Sequence, residues 1–508
     1  MVRIMPNSYS SPGVYIEESL MPPSIAGVNM NAALLVGNFY RGPVDRPQLL
    51  QSYAEFERIF GFRAEKWRDS FSAKLFFQNG GNELYVSRLF KGSRKPAKIS
   101  VPMGEGSLTF EATSPGAWGN DLSIEVRHHD TRRDHFSLFI RCDFPYPSAK
   151  SQDVAAFKNI SISNSEPRRL KDIFNGNPYA ELLEDGLFTE RPDKGIFYPQ
   201  SPIAEQDFTS EEIIRNLLEC ETLLTAPVGL VCLADRREGR GYTKQQIARA
   251  AAFCERTHSI LLLGPRQNWT TPLSIKSAVE KIQDHLSPAQ RSRVALYAPN
   301  LLVDNPDTTK QQLSISPTLA IAGYVQKSDR IYGIWKAPAG VEATLSGFTG
   351  LKDLYEHEEA NLLNSAGINS IRSLSSHSSV IWGAKTMDGH SQYGSDFTYL
   401  PVRRLTDYVT RSILQGSQWV AFEPNSEETW NALNQRASGF LKDLYRTGAF
   451  AGTTESTSFF VHCDPEIVTS DDLEKGRIPL QIGFAPVRPA EFVILNLAIP
   501  CQPLRARQ

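Results

Sequence analysis

The sequence has almost no excess charge of either sign: 54 basic residues stand against 56 acidic ones in 508, a formal net charge of −2. No global field therefore gathers nucleic acid or an anionic membrane surface. No run of 18 or more apolar residues occurs, which removes a membrane-spanning helix. Residues 1–13 lack the charged start, apolar stretch and small-residue cleavage site of a secretory leader, so a chain kept in the cytoplasm is expected. The six cysteines, Cys142, Cys220, Cys232, Cys254, Cys463 and Cys501, form no C-x-x-C and have no histidine at metal-finger spacing, so reduced thiols are expected. The 34 glycines and 32 prolines are dispersed, which excludes collagen and low-complexity disorder.

Chemistry is equally scarce. There is no Gly-rich loop ending in Gly-Lys-Ser/Thr; Gly239-Arg240-Gly241-Tyr242-Thr243-Lys244 lacks the spacing and reads as a strand-to-helix loop. His128-His129-Asp130 with His135 reads as a polar turn, and Glu356-His357-Glu358-Glu359 as the polar face of a helix. No G-x-S-x-G elbow occurs, and Gly452-Thr453-Thr454-Glu455-Ser456 reads as a turn before a strand. Arg403-Arg404 is the most compact basic pair of the last third, with no basic stripe interleaved with aromatics around it. No catalytic residue, metal or cofactor is implied.

What is present is a chain of ordinary globular composition, 41% hydrophobic, long enough for two to four domains of about 100 to 200 residues. Ala32 to Gly37 is a continuous apolar run, as expected of a strand buried on both faces. Ser52-x-x-Glu55 opens a helix that stops at Gly61, a second helix covers about 68–78, and Leu84 to Leu89 reads as a strand. From about residue 100 short alternating segments (107–112, 122–127, 136–142) predict a small β-rich domain, and 143–208 carries little assignable pattern. Capping boxes at Thr209 and Thr243 alternate with apolar strands at 228–233, 259–263 and 294–297, a βαβ succession. A helix from about 405 to 416, a strand Trp419 to Phe422, and a helix capped at Asn425 are expected next. Strands at 458–463, 478–484 and 491–497 follow. The long helix, Glu427 to Arg446, has an apolar stripe of Trp430, Leu433, Ala437, Phe440, Leu441 and Leu444.

Val14-Tyr15-Ile16 is an isolated strand-like segment among prolines, with no partner beside it in sequence; such a strand needs an edge to pair with.

Several blocks taken together resemble the contractile tail sheath proteins of phages, tailocins and phage-like injection systems. They are Ser11-Pro12-Gly13-Val14-Tyr15-Ile16-Glu17-Glu18, Arg41-Gly42-Pro43 with Phe60-Gly61, and Ser114-Pro115-Gly116-Ala117-Trp118-Gly119-Asn120. Ala322-Gly323-Tyr324 with Asp329, Gly333 to Gly340 (GIWKAPAG), Leu363-Asn364 with Gly367-Ile368-Asn369, and Ile381 to Thr386 (IWGAKT) follow. Val402-Arg403-Arg404-Leu405, Phe422-Glu423-Pro424-Asn425 and Pro489-Ala490-Glu491-Phe492 complete the series.

The resemblance implies a multidomain α/β chain whose inner domain is built from both ends, with β-rich and subtilisin-shaped α/β outer domains inserted. On that pattern 1–22 is an extended arm, 23–100 the first part of the inner domain, 101–200 the β-rich insert, and 201–317 the α/β insert. Residues 318–490 complete the inner and C-terminal domain, and 491–508 form a strand and arm. It implies a structural subunit that polymerises around an inner tube as stacked rings and contracts. Its partners would be other copies of itself, the tube protein, the baseplate and terminator or cap proteins, without nucleic acid or membrane insertion. Assembly would take place in a bacterial cytoplasm. Strand donation between copies, through Val14, Tyr15 and Ile16 at one end and Val493, Ile494 and Leu495 at the other, fits a heterologous contact that does not close. The outer face of the long helix, through Glu428, Arg436, Lys442 and Arg446, is the candidate tube-facing surface. The alternatives are an α/β hydrolase or protease-like enzyme with a triad assembled from distant segments, and a self-assembling compartment or surface layer.

Overall fold

The computed structural model describes residues 24–61, 68–132, 135–142, 152–161, 170, 174, 176–183, 190–204, 208–234, 241–266, 268–305, 311–375, 378–390, 395–487 and 493–501. They fall into two compact units, one drawn from 29–408 with 486–490, the other from 1–28, 409–485 and 491–508. Val14, Tyr15 and Ile16 lie outside the described residues.

The first unit is organised by a nine-stranded sheet. Its strands are β1 (Ala33–Gly37), β2 (Gln48–Leu50), β3 (Leu84–Arg88), β4 (Leu230–Leu233), β5 (Ile260–Leu263), β6 (Val294–Ala298), β7 (Thr344–Leu345), β8 (Ile368–Ser375) and β9 (Ser378–Trp382). Their order is β7-β9-β8-β6-β5-β4-β1-β3-β2. The run from β8 to β3 is parallel and both margins are antiparallel. A parallel sheet needs cover on both faces. Leu34 and Val36 of β1 enter a core with Val231, Leu233, Leu261, Val294 and Leu296, while Ala33 and Leu35 enter another with Leu230, Cys232, Ile260 and Leu262. That alternation explains why these strands read as unbroken apolar runs.

The first face is covered by α3 (Ser210–Leu223), α4 (Lys244–Thr257), α5 (Pro272–Gln283) and α7 (His357–Ser365). The second is covered by α1 (Tyr53–Phe60), α2 (Arg68–Gln78) and α6 (Thr318–Tyr332). The expected capping boxes are formed at Thr209 and Thr243, and the Ser52 hydroxyl accepts the Glu55 amide proton.

The sheet crosses the domain boundaries expected from sequence. β1, which pairs with β3 inside 23–100, also pairs directly with β4 from 201–317, and β6 pairs with β8 from 318–490. The physical reason is edge saturation. The two strands of the first segment leave an apolar edge on β1, and the parallel strands of the middle segment fill it.

Between β3 and α3 the chain builds two antiparallel sheets. One joins Lys98–Met103, Gly106–Ala112 and Ala180–Leu182; the other orders Gly195–Phe197, Leu122–His128, His135–Cys142 and Gln152–Ser161. They share one core around Val101, Phe110, Trp118, Ile124, Phe136 and Ile140.

The second unit contains the C-terminal half of α8 (Leu400–Gly416), then α9 (Glu427–Arg446), β10 (Phe459–His462), β11 (Arg477–Phe484) and β12 (Val493–Pro500). Trp419–Phe422 is a 3-10 turn rather than the expected strand; it is closed by backbone bonds from Val420 to Ser417 and from Glu423 to Val420. Ser426, not Asn425, is the N-cap of α9. The Asn425 carboxamide instead accepts the Trp430 indole N–H at 2.7 Å.

Gly323 sits where α6 crosses α2: a Cβ there would lie 2.2 Å from the Phe76 carbonyl oxygen. Gly323→Ala is therefore expected to force the helices apart and destabilise the fold by about 1–3 kcal/mol. The midpoint of denaturant unfolding checks this; an unchanged midpoint would mean the contact relaxes freely.

Candidate functional sites: buried joints and open strand edges

The sequence blocks that stand out meet in space as polar joints rather than as a reactive centre. Arg88, buried at the end of β3, donates to the carbonyls of Phe39 (3.2 Å), Gly42 (2.7 Å), Pro115 (2.9 Å) and Tyr40 (3.3 Å). The Gly42 amide donates to the Ser114 hydroxyl, and the Trp118 indole N–H to the Ser114 carbonyl, both at 3.0 Å. Arg41 is equally buried; it donates to the carbonyls of Pro178 and Arg58 and lies 4.1 Å from the Tyr179 ring centroid. The Arg41-Gly42-Pro43 block and the Ser114 to Asn120 block are thus two halves of one joint between the large sheet and the β-rich body. Asn120 completes it by pairing with both backbone groups of Ile203.

A second joint holds α8. Arg404 makes a bidentate pair with Asp329 of α6 at 2.9 and 2.6 Å, each side chain only 3% exposed. One turn on, the carboxylate of Asp407 takes Arg403 at 2.8 Å, Arg293, and His258 Nδ1 at 3.4 Å. The basic pair Arg403-Arg404 is therefore consumed inside the molecule. Burial alone would raise the Asp407 carboxyl, but Arg403, His258 and Arg293 outweigh it and hold it below its ordinary value. Asn369 clamps the Ile381 to Thr386 block, accepting from the Lys385 amide at 2.7 Å and donating to the Lys385 carbonyl at 2.8 Å. The Lys385 ammonium reaches the Asn364 carbonyl at 3.1 Å.

Sequence reasoning missed Gln326, whose carboxamide ties α6 to the chain entering β1 and β3. It accepts from the Asn82 amide at 2.9 Å and donates to the Glu83 carbonyl at 2.8 Å and to that of Asn31. The available signal was a lone amide within an otherwise apolar helical run.

Among the described residues, Cys254, His258 and Asp407 bring a thiol, an imidazole and a carboxylate near one another. Cys254 is fully buried, however, and burial pushes its thiol up to about 12, which leaves no thiolate to attack. His128 faces the Pro192 carbonyl at 2.8 Å, and the Glu356 and Glu359 carboxylates form a capping box on α7.

In the second unit the apolar stripe of α9 is buried as expected, and its other face is more varied than expected. Glu428 is exposed, and Arg446 lies exposed beside Asp443 at 3.5 Å. Lys442 is paired with Glu455 at 2.9 Å. Arg436 is not a free surface cation: its guanidinium stacks 3.8 Å from the Trp419 ring centroid, and burial lowers its pKa. Val493, Ile494 and Leu495 have an in-chain partner, since β12 pairs antiparallel with β11 through Val493–Phe484, Ile494–Gly483 and Leu495–Ile482. β11 is central in the three-stranded sheet, so among the described residues β10 and β12 each keep one unpaired edge. Leu495 and Leu497 on β12 remain half-buried there.

Residues 392–499 match the family model of the phage tail sheath C-terminal domain. A prophage major tail sheath protein of Pseudomonas aeruginosa is 28% identical over 176 residues, 34% of this chain and 42% of that protein. The tail sheath protein of Vibrio phage KVP40 is 24% identical over 177 residues, 35% of this chain and 25% of that protein. The chain thus spans less than half the length of either relative in the matched region. Among solved structures, the contracted helical sheath of the anti-feeding prophage matches with TM-score 0.57 and 23% identity over 96% of this chain and 99% of that one. The sheath tail protein of Desulfitobacterium hafniense matches with TM-score 0.62 and 13% identity over 96% and 100%. The resemblance read from the sequence blocks is borne out by these matches.

Two outcomes test the joints. Arg404→Leu strands the buried Asp329 carboxylate and is expected to cost about 3–5 kcal/mol, whereas Arg404→Leu with Asp329→Leu recovers most of it. Denaturant midpoints of the three chains decide; equal loss in single and double variants would show that the pair carries no coupling. Because the Asp407 carboxyl is depressed in the folded state, its contribution is present above the ordinary carboxylate pKa and is lost as pH falls from there through the lower folded-state value. Between about pH 5 and pH 3 the stability of the unsubstituted chain should fall more steeply than that of Asp407→Asn. Parallel curves would remove Asp407 as a source of acid sensitivity.

Proposed function

We propose that this chain, which carries a phage tail sheath C-terminal domain match over residues 392–499, is a structural subunit of a contractile sheath. It polymerises helically around an inner tube and shortens to drive that tube through a target envelope. The observation that carries this reading is the sheath match falling on a unit whose three-stranded sheet offers unpaired edges at β10 and β12. Identical subunits joined head to tail through such edges extend into a helical assembly where the rotation between copies does not close.

The strand that fits an open edge is Val14-Tyr15-Ile16 of a neighbouring copy. Its β-favouring side chains and main-chain donors would extend the ladder beside Leu495 and Leu497. The pairing of Val493, Ile494 and Leu495 with β11 refines the expected exchange. The C-terminal strand serves as the acceptor within its own subunit, and its outer edge receives the neighbour. Partners at the ends of the sheath are the baseplate and a terminator, and no step requires a cofactor. The chemistry is mechanical: many weak contacts change together while each subunit keeps its own joints.

The grip on the tube must be lost on expansion, which favours exposed charge pairs of at most about 1 kcal/mol each. On α9 the suitable side chains are Glu428, Arg446 and the half-exposed Lys442; Arg436 is excluded as a probe because reversing it would also strip Trp419 of its stacking partner.

A chain lacking residues 1–20 is expected to stay folded by circular dichroism and to form no hollow cylinders in negative stain. Normal sheaths from that truncation would overturn the strand-exchange reading. Glu428→Lys with Lys442→Glu and Arg446→Glu should leave the chain folded, with its stability from thermal unfolding within about 2 kcal/mol of the parent. It should also reduce the yield of extended sheath on tubes at low salt. Full yield would mean that α9 does not face the tube.

A further inference from the structure

The parallel strands of the large sheet end at a hollow that none of the polar joints fills. At the carboxyl ends of β4, β5 and β6 a cavity of about 60 Å³ opens to solvent, wholly within the first unit. Open α/β sheets take small ligands in this position, because the loops leaving the strands diverge there. Leu233, Leu263 and Leu296 of the sheet line it together with Ile247 of α4, Ile282 of α5, and Trp269, which lies between β5 and α5 in sequence. All six belong to the buried core on the first face of the sheet, so most of the wall is apolar.

One cation also lines the cavity. Arg266 is half-buried, donates to the Tyr242 carbonyl and lies 5.4 Å from the Trp269 ring centroid. Gly241 leaves room for its stem, since a Cβ there would lie 2.6 Å from the Arg266 Cγ. A guanidinium carries five N–H donors. Arg41, Arg88, Arg293 and Arg404 spend theirs on several carbonyls or on a carboxylate, whereas Arg266 has one acceptor and no carboxylate among the described residues. Burial accordingly lowers its pKa with no acidic neighbour to offset the effect. Thr318, the first residue of α6, lines the same cavity. The N-cap of α6 is Pro317, which brings no side-chain acceptor to the free amides of the first turn, so the field at this helix start favours an anion as well.

Size and chemistry select the ligand. At roughly 10–15 Å³ for each water-sized occupant, the cavity holds about four to six non-hydrogen atoms. Apolar walls disfavour a strongly hydrated dianion such as phosphate, and a wholly apolar molecule would leave the guanidinium unanswered. We propose that this cavity binds a short-chain aliphatic monocarboxylate, with its carboxylate against Arg266 and its aliphatic end among Leu233, Leu263 and Ile247. Carboxylate and guanidinium match as a fork of parallel hydrogen bonds. The site is a property of the folded chain and stands independently of whether that chain forms a sheath.

Isobutyrate, one carboxylate on a branched three-carbon body, is the probe. The full chain, labelled with 5-fluorotryptophan, is titrated and followed by fluorine NMR, with the Trp269 resonance identified by its loss in Trp269→Phe. That resonance is expected to shift saturably with a Kd on the order of 1 mM, as suits so small a ligand, while the other tryptophan resonances stay in place. Isobutyramide, of the same shape without the charge, should bind about tenfold more weakly, and so should isobutyrate to Arg266→Gln. Inorganic phosphate should leave the Trp269 resonance unmoved. If Arg266→Gln fails to fold, the acid and the amide on the parent decide alone. No saturable shift by about 20 mM isobutyrate, where a site of that strength is filled, or a shift only at other tryptophans, would overturn the site. Equal affinity for acid and amide would overturn the role of Arg266, and phosphate binding as tightly as isobutyrate would overturn the choice of ligand.

Discussion

A guanidinium removed from water must be met by oxygen acceptors around its plane, and the positions of four buried arginines dictate how the loops of the first unit run. Arg88 collects four backbone carbonyls from the segments 39–42 and 115, Arg41 collects three more, and Arg404 and Arg293 find carboxylates. Any of these groups left without its acceptors would cost several kcal/mol, so the loops are not free to vary independently of the sheet. This is why blocks such as Arg41-Gly42-Pro43 and Ser114 to Asn120 stand out in the sequence although none of them does chemistry. They are the two sides of one hydrogen-bonded joint.

The parallel sheet and the joints depend on each other. α2 and α6 lie side by side on the second face only because their backbones approach closely, and Gly323 removes the side chain that would prevent it. Gln326, one turn further along α6, then comes within reach of the chain entering β1 and β3. Asp329, on the next turn, meets Arg404 of α8. One helix thereby links sheet, strand entries and α8 through residues spaced at three, a single stripe of its surface.

Much of this was legible because burial and capping leave local marks. The unbroken apolar runs at β1, β4 and β5 signalled strands covered on both faces, and Ser52, Thr209 and Thr243 marked helix starts that the structure places there. What was not legible depends on pairing across long separations. Nothing near Ala33 announces that its strand will lie beside Leu230, so the boundaries at 100/101, 200/201 and 317/318 cut through one sheet. Trp419 to Phe422 has strand composition, but local bonds close it into a turn, and Arg436, seventeen positions on, takes the Trp419 face. The outward charges of α9 looked equivalent in sequence; their differences arise from neighbours such as Trp419 and Glu455, which periodicity does not reveal.

A sleeve that shortens must separate the bonds that survive contraction from those that change. Buried bidentate pairs such as Arg404–Asp329 are suited to the first class, because breaking one exposes two charges to a medium that solvates neither well. The proposed strand addition at an open edge would belong there too, since a ladder of main-chain bonds can swing with its subunit and still hold. Exposed pairs such as Arg446 with Asp443 suit the second class, being individually weak and readily exchanged for water. The distribution in this chain follows that division: the strong, unscreened pairs lie inside the first unit, whereas the second unit presents strand edges and loose surface charge. On the proposed sheath function, energy released on contraction comes from repacking between subunits, with the interior of each one left unchanged.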